Sequence, residues 1–194
     1  PKPIGYLIII TFSRNLIMVR LFIGVFVPED VKSPITDLQD SLTKMPMDAK
    51  LVERENLHVS LSFLGETPDS QIGFISKRLD DVCAKHRRFT ARIGGALLIP
   101  NDSYIRVIAL DVRSSSDEME TLRKEIVAAV GGESHPAHLT LARVREVTNK
   151  NFVRDSLKSA SVEKYFEVGS VHLIKSVMTR RGPSYEVVHE SRLA

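Results

Sequence analysis

The chain of 194 residues is 43% hydrophobic and 26% charged, with 10 Gly and 9 Pro, which excludes collagen-like, low-complexity and intrinsically disordered classes and leaves a globular protein able to bury a sizeable core in one domain or two small lobes. The formal charge of +3 owes two units to Lys2 and Arg14 in the acid-free first 17 residues, and the remainder holds 25 basic against 24 acidic residues, so overall charge gives no argument for general nucleic-acid binding. The single cysteine, Cys83, excludes an intrachain disulfide and fits a reducing compartment, with the cytoplasm as the expected location.

The apolar stretch Ile4–Phe12 is nine residues, short of the ~20 that a membrane-spanning helix needs. Ser13, Arg14 and Asn15 offer no small-x-small cleavage site, so neither a signal peptide nor a membrane partner is expected. Met18 opens the first well-patterned segment. Residues 1–17 read as an N-terminal extension, the alternative being an extra edge strand from Ile8, Ile9, Ile10 and Thr11, and residues 18–194 read as the domain itself.

Arg20–Val27 is an apolar run rich in β-branched and aromatic residues and reads as a buried strand. Glu29 and Asp30 then open a helix with Val31, Ile35, Leu38 and Leu42 on one stripe. Leu57–Leu64 alternates, with Leu57, Val59, Leu61 and Phe63 facing the core and His58, Ser60 and Ser62 facing away. Thr67 and Pro68 read as the cap and first turn of a second helix carrying Ile72, Ile75, Leu79 and Val82. Phe89–Ile99 and Tyr104–Val112 form an antiparallel pair across Pro100, Asn101, Asp102 and Ser103. A third helix holds Met119, Leu122, Ile126 and Val130 and ends at Gly131 and Gly132. A second alternating strand shows His138, Thr140 and Ala142 on one face against Leu139 and Leu141. A shorter helix around Phe152 and Leu157 follows. Phe166–Met178 and Tyr185–Ser191 close the chain as a hairpin about Arg180, Arg181, Gly182 and Pro183.

Hairpins without strict alternation of strand and helix make the class α+β with antiparallel sheets. A weak repeat aligns LHVSLSFL from Leu57 with AHLTLARV from Ala137, 80 positions later. It implies two pseudo-symmetric lobes of antiparallel sheet with flanking helices around a central cleft. Each copy shows a histidine and then a hydroxyl two residues on, both on one strand face. Two such pairs across a cleft place an acid, a base and two hydrogen-bond donors around one centre, which suits in-line displacement at phosphorus. A neutral-range pKa makes imidazole fit for both proton roles. The bland alternative for one triplet is a surface histidine satisfied by water or backbone, and two aligned copies weaken it.

These residues also resemble a family, the two-histidine phosphoesterases, in particular the RNA 2′,3′-cyclic phosphodiesterases once called 2′-5′ RNA ligases. The resemblance rests on RLFIGV from Arg20, VERENLHVSLSFLGE from Val52, YIRVI from Tyr104, HLTLARV from His138 and TRRGPSYE from Thr179. The first copy carries His-x-Ser where the family more often has His-x-Thr, which keeps the hydroxyl. The resemblance implies a bilobal α+β fold with neither metal nor nucleotide cofactor. It also implies hydrolysis of RNA 2′,3′-cyclic phosphate ends, tRNA halves among them, to 2′-phosphates by a monomer. It further implies His58 as proton donor to the 3′ oxygen and His138 as proton acceptor from water, with Ser60 and Thr140 as hydroxyl partners. A 5′-hydroxyl replacing water would make a 2′-5′ linkage without ATP. A cyclic phosphodiesterase for a small nucleotide and a non-catalytic RNA-end-binding module are the competing readings.

Four further residues are candidates for substrate binding. Arg143 follows the second motif and either serves the phosphate or, by alternation with Leu139 and Leu141, is a structural cation at the strand end. Arg106 lies on an otherwise apolar strand, so it opens into the cleft or pairs with an acid. Phe63 either stacks on a base or, by its alternation with Val59 and Leu61, joins the core. Tyr185 is a cleft wall or a hairpin anchor. His58 and His138 are expected on exposed strand faces, and His86, His172 and His189 on the solvated surface. His135 and His138 lack the spacing of a helical metal pair, so no metal is expected.

Overall fold

The computed structural model describes residues 17–180 and 182–194. The extension or edge strand expected within residues 1–16, and Arg181 of the final turn, lie outside the described residues. Nine strands form one curled antiparallel sheet with four α-helices among the described residues. The strands are β1 (Met18–Phe26), β2 (Met47–Leu51), β3 (His58–Pro68), β4 (Phe89–Asn101), β5 (Tyr104–Ser114), β6 (His138–Val147), β7 (Ser161–Val168), β8 (Ser170–Thr179) and β9 (Gly182–Arg192). The helices are α1 (Glu29–Leu42), α2 (Ile72–Cys83), α3 (Glu118–Val130) and α4 (Lys150–Leu157). The α+β reading with two related halves agrees with this architecture.

The sheet order is β7-β4-β5-β6-β3-β1-β8-β9, with β2 also pairing β6. β6 and β3 divide it into two four-stranded halves. The ladder between β3 and β6 has two residue pairs, Val59 with Leu139 and Ser60 with His138, before β3 and β6 diverge. β2 fills that divergence by pairing β6 from Ala142 to Val147. Its sequence, Met-Asp-Ala-Lys-Leu, does alternate apolar and charged residues, but over only five positions, and the strand was not among those expected.

The repeat is deeper than the histidine strands alone. In the first half Phe26, Gly24, Ile23 and Phe22 pair with His58, Ser60, Ser62 and Phe63. In the second half Asp111, Ala109, Ile108 and Val107 pair in the same order with His138, Thr140, Ala142 and Arg143. Both ladders skip one residue at the same place, Leu61 in β3 and Leu141 in β6, which are β-bulges.

The core lies under the sheet face that carries Leu21, Ile23, Val59, Leu61, Ile108, Leu110, Leu139 and Leu141, each at most 1% exposed. α1 enters through acidic Glu29 and Asp30 and buries Val31, Ile35 and Leu42. Its Gln39 amide donates to the carbonyls of Val52 at 2.8 Å and Leu141 at 2.9 Å, tying the helix to β6.

Two boundaries differ from expectation. Thr67 and Pro68 end β3 and do not begin a helix, because Val19 and Met18 of β1 pair with them; α2 starts at Ile72 after a 3-10 turn, Asp69–Gln71. The expected strand Phe166–Met178 is two strands parted at Gly169. β7 pairs β4 in one half and β8 pairs β1 in the other, so one residue carries the chain between opposite ends of the strand order. That connection requires the sheet to curl back on itself.

Candidate active site

Paired residues of an antiparallel ladder share a face. The β3–β6 register places Ser60 opposite His138, and one further step along it sets His58 beside Thr140. The four side chains therefore stand together on the face away from the core, at the point where the two halves touch.

Local backbone geometry fixes the tautomers of both histidines. His58 Nδ1 lies 2.7 Å from the Asn56 carbonyl, and His138 Nδ1 lies 2.9 Å from the Pro136 carbonyl. A carbonyl only accepts, so each neutral ring carries its proton on Nδ1 and keeps a lone pair on Nε2. The Ser60 hydroxyl, 3.2 Å from His58 Nε2, donates to it. Each ring thus uses the carbonyl two residues before it, and the two presented Nε2 atoms are both basic.

The two rings differ in surroundings. His58 is 8% exposed, which corrects the expectation that it stands on an open strand face. Its ring centroid is 4.9 Å from that of Phe22 and 5.5 Å from that of Tyr185, the latter edge-on. Phe26 adds a third ring at 6.3 Å. Burial pushes the His58 pKa down to about 4, with the charges of Arg143 and His138 acting in the same direction and the Asn56 carbonyl opposing them. His138 is half-buried and its pKa is lowered, first by burial and then by the nearby charges of His135 and Arg143, with the Pro136 carbonyl opposing.

The paired bulges decide two of the alternatives left open by alternation. Leu141 and Ala142 are both buried, so the side-chain phase of β6 flips and Arg143 emerges on the His138 face. Its charge acts on both histidines and on the Tyr185 phenol. In β3, buried Leu61 and Ser62 do the same for Phe63, which pairs with Phe22 and is 45% exposed. The core placement of Phe63 is thereby corrected: it stands on the histidine face, at the position equivalent to Arg143. Tyr185 is half-buried, with its phenol pKa raised mainly by burial, and it forms the wall beside His58.

Arg106 is not brought to this cluster by any contact. It is the bulged residue of β5, between Val107 opposite Ile99 and Ile105 opposite Pro100. Its exposed guanidinium donates to the Tyr104 hydroxyl at 2.7 Å and to the Arg145 carbonyl at 3.3 Å, and these contacts, in place of an acidic partner, hold it. The remaining histidines are less solvated than expected. His86 pairs with Glu125 at 3.0 Å and His189 with Asp80 at 2.8 Å, while half-buried His172 packs its ring 5.3 Å from that of Phe26. His135 is exposed, and among the described residues no three His, Cys, Asp or Glu side chains cluster in a metal-binding geometry.

Similar sequences and folds are known. The family described as LigT like Phosphoesterase matches residues 25–109. An RNA 2′,3′-cyclic phosphodiesterase of Methanocaldococcus jannaschii is 30% identical over 184 residues, covering 88% of this chain and 99% of that protein. The chain belongs to the LigT-like phosphoesterases. Another RNA 2′,3′-cyclic phosphodiesterase, from Methanothermobacter thermautotrophicus, is 30% identical and covers 90% of this chain and 99% of its own. The LigT-like fold is seen in a solved Thermus thermophilus protein with a TM-score of 0.78 at 23% identity, covering 90% of this chain and 97% of that one. Escherichia coli LigT complexed with phosphate gives 0.69 at 19% identity, covering 91% and 98%.

Phe22, Phe26, Asn56 and Pro136 were not singled out from the LigT-like sequence motifs. The aromatic pair sits in an all-apolar run where no phase is legible. Asn56 and Pro136 act through their carbonyls, which carry no side-chain signature; the only available signal is their shared place two residues before each histidine.

Proposed function

We propose that this LigT-like phosphoesterase hydrolyses RNA 2′,3′-cyclic phosphate ends to 2′-phosphates by two-histidine acid and base catalysis. The observation that carries the reading is the β3–β6 contact, which sets two Nε2 atoms and two hydroxyls around one centre. Among its relatives are RNA 2′,3′-cyclic phosphodiesterases, and 3′-AMP is bound in one solved structure of Escherichia coli LigT.

In this reading His138 Nε2 takes a proton from the attacking water as the water oxygen bonds to phosphorus. The bond from phosphorus to the 3′ oxygen breaks, and His58 Nε2 gives that oxygen its proton. His58 is neutral in the free protein, so the acid role requires it to gain a proton as substrate arrives. The diester's negative charge favours that step by opposing the repulsion from Arg143 and His138. Ser60 and Thr140 donate hydrogen bonds to the phosphate oxygens, and Arg143 supplies positive charge to them. Phe63 offers an exposed ring for a base to stack on, and Tyr185 walls the site beside His58. No step calls on a metal or a nucleotide cofactor. A 5′-hydroxyl in the water position yields a 2′-5′ linkage from the same pose, which makes ATP-independent joining of RNA ends, such as those of tRNA halves, the companion activity.

The decisive experiment digests an oligonucleotide ending in a 2′,3′-cyclic phosphate and identifies the monoester by phosphorus NMR. One fixed acid within ~2.6–3.2 Å of one leaving oxygen gives one product, expected to be the 2′-phosphate. A dominant 3′-phosphate reverses the orientation between the histidines. Binding of the end without turnover replaces the enzyme reading with a binding module.

A further inference from the structure

The two histidines share a device, a carbonyl two residues upstream that holds the Nδ1 proton, but the device is secured differently in the two halves. Upstream of His138 the residue is Pro136, whose ring fixes its own backbone torsion. Upstream of His58 it is Asn56, the last residue of a 3-10 turn, Arg54–Asn56, which has no such ring. Asn56 is nevertheless only 7% exposed. Its side-chain amide donates to the Pro183 carbonyl at 3.2 Å and to Glu53 Oε2 at 3.4 Å, while its backbone N–H donates to the Glu53 carbonyl at 2.9 Å. Glu53 is in turn paired with Lys50 at 3.2 Å, and Lys50 Nζ lies so close to Gly182 that a side chain there would collide with it.

Pro183 belongs to the first residues of β9, two positions before Tyr185, whose ring stands edge-on to His58 and whose phenol lies within the influence of the Arg143 charge. The Asn56 side chain therefore bolts the peptide that orients His58 to the hairpin that carries the other wall of the site.

We propose that Asn56 is a positioning residue for His58: its amide, anchored on Pro183, holds the Asn56 carbonyl where it fixes the imidazole with the proton on Nδ1 and Nε2 aimed at the reacting phosphate. The role rests on the phosphoesterase reading above for its effect on turnover, but the tautomer it imposes is a property of the unliganded protein. Loss of the anchor frees the carbonyl, and an imidazole without a partner on Nδ1 reverts toward the tautomer with its proton on Nε2, which presents no lone pair to the cleft. The same carbonyl bond favours the imidazolium that the acid role requires, so its loss also makes His58 harder to charge when substrate binds.

The test compares Asn56→Asp, which keeps shape and removes both amide donors, with Asn56→Ala and with Glu53→Gln, which leaves the Pro183 anchor intact. Nitrogen-15 shifts of the His58 ring in the free protein read the tautomer directly. The expected result is one Nδ1-protonated species in wild type and Glu53→Gln, and a mixture in both Asn56 variants. For turnover of a cyclic-phosphate-ended oligonucleotide, kcat is expected to fall about 10-fold or more in the Asn56 variants with KM nearly unchanged. In Asn56→Ala, which introduces no charge, the His58 limb of the pH profile is expected at lower pH, because the carbonyl bond that raises its pKa is lost. Should an Asn56 variant fail to fold, the tautomer is read in Pro183→Gly, which loosens the same anchor from the other side and is expected to give the mixture too. An unchanged tautomer in folded Asn56 variants overturns the proposal. Absence of turnover in wild type, with the tautomer responding as expected, overturns the phosphoesterase reading and leaves the positioning role standing.

Discussion

The two halves of the molecule follow one template and fill it in opposite ways. The first half sets aromatic rings against its histidine: Phe22 and Phe26 on β1 and Tyr185 on β9. The second half has Val107 and Asp111 at the positions equivalent to Phe22 and Phe26, so His138 keeps a half-open surface. Backbone symmetry thus supplies two identical imidazole mounts, and side-chain bulk makes them chemically unequal. Burial is the largest influence on both rings and acts harder on the one behind the aromatic wall. Unlike environments separate the two rings as an acid and a base must be separated, but in the free protein they favour the proton on His138, so the proposed acid role of His58 depends on the charge of the bound phosphate.

The comparison can be tested most severely by removing each histidine in turn. His58→Ala and His138→Ala are each expected to cut turnover by ~10²- to 10⁴-fold, and near-native turnover of either variant would remove that ring from the proposed mechanism. Their stabilities should diverge. Loss of the buried His58 ring is expected to cost about 1–2 kcal/mol, or roughly 2–4 °C of melting temperature per kcal/mol, whereas loss of half-open His138 is expected to cost little. Equal melting temperatures would contradict the asymmetric packing.

The hydroxyls come next in size. Ser60→Ala and Thr140→Val each delete one donor, with an expected loss of the order of 10²-fold where such a donor is preorganised. A hydroxyl variant slower than both histidine variants would mean the roles are exchanged.

Acid response should separate the halves as well. His58 binds its proton in the unfolded chain near pH 6.5 but in the folded protein only near 4, so stability is fully present above pH 6.5 and falls as the pH drops toward 4. The loss is about 3 kcal/mol at most. Denaturant melts of His58→Ala across that window should show a flatter profile than wild type. Catalysis needs one imidazole charged and one neutral; in the free protein that single proton sits on His138, the more exposed ring, and the bound phosphate has to shift it to His58. Because both are lowered, the bell in kcat/KM is expected to peak on the acid side of pH 6.5, and a peak above neutrality would contradict the lowered pair.

The smallest expected effect is none at all. Exhaustive chelation should leave turnover unchanged, since two imidazoles and two hydroxyls supply both proton transfers and the charge stabilisation. Loss of activity restored by zinc or manganese would bring exposed His135 into the site.

Much of this was legible in the amino-acid order because it depends on local periodicity. The alternation of Leu57–Leu64, its echo from Ala137 and the helical stripes of α1, α2 and α3 reflect which side chains a strand or helix turns toward one face. The two histidine motifs and the α+β class followed from that pattern and from the family resemblance. Tertiary structure decided whatever depends on which strand lies beside which. Pairing with β1 kept Thr67 and Pro68 extended, and the split partnership of β7 and β8 broke a single apolar run at Gly169. The bulges at Leu61 and Leu141 arise from ladder registers with β1 and β5, and they turned Phe63 and Arg143 onto the histidine face against the period-two count. The environment of His58 was equally hidden, because Phe22 and Tyr185 are 36 positions before it and 127 after it in the chain. Local pattern records the direction in which a side chain points; burial and pKa depend on what the folded chain brings to meet it.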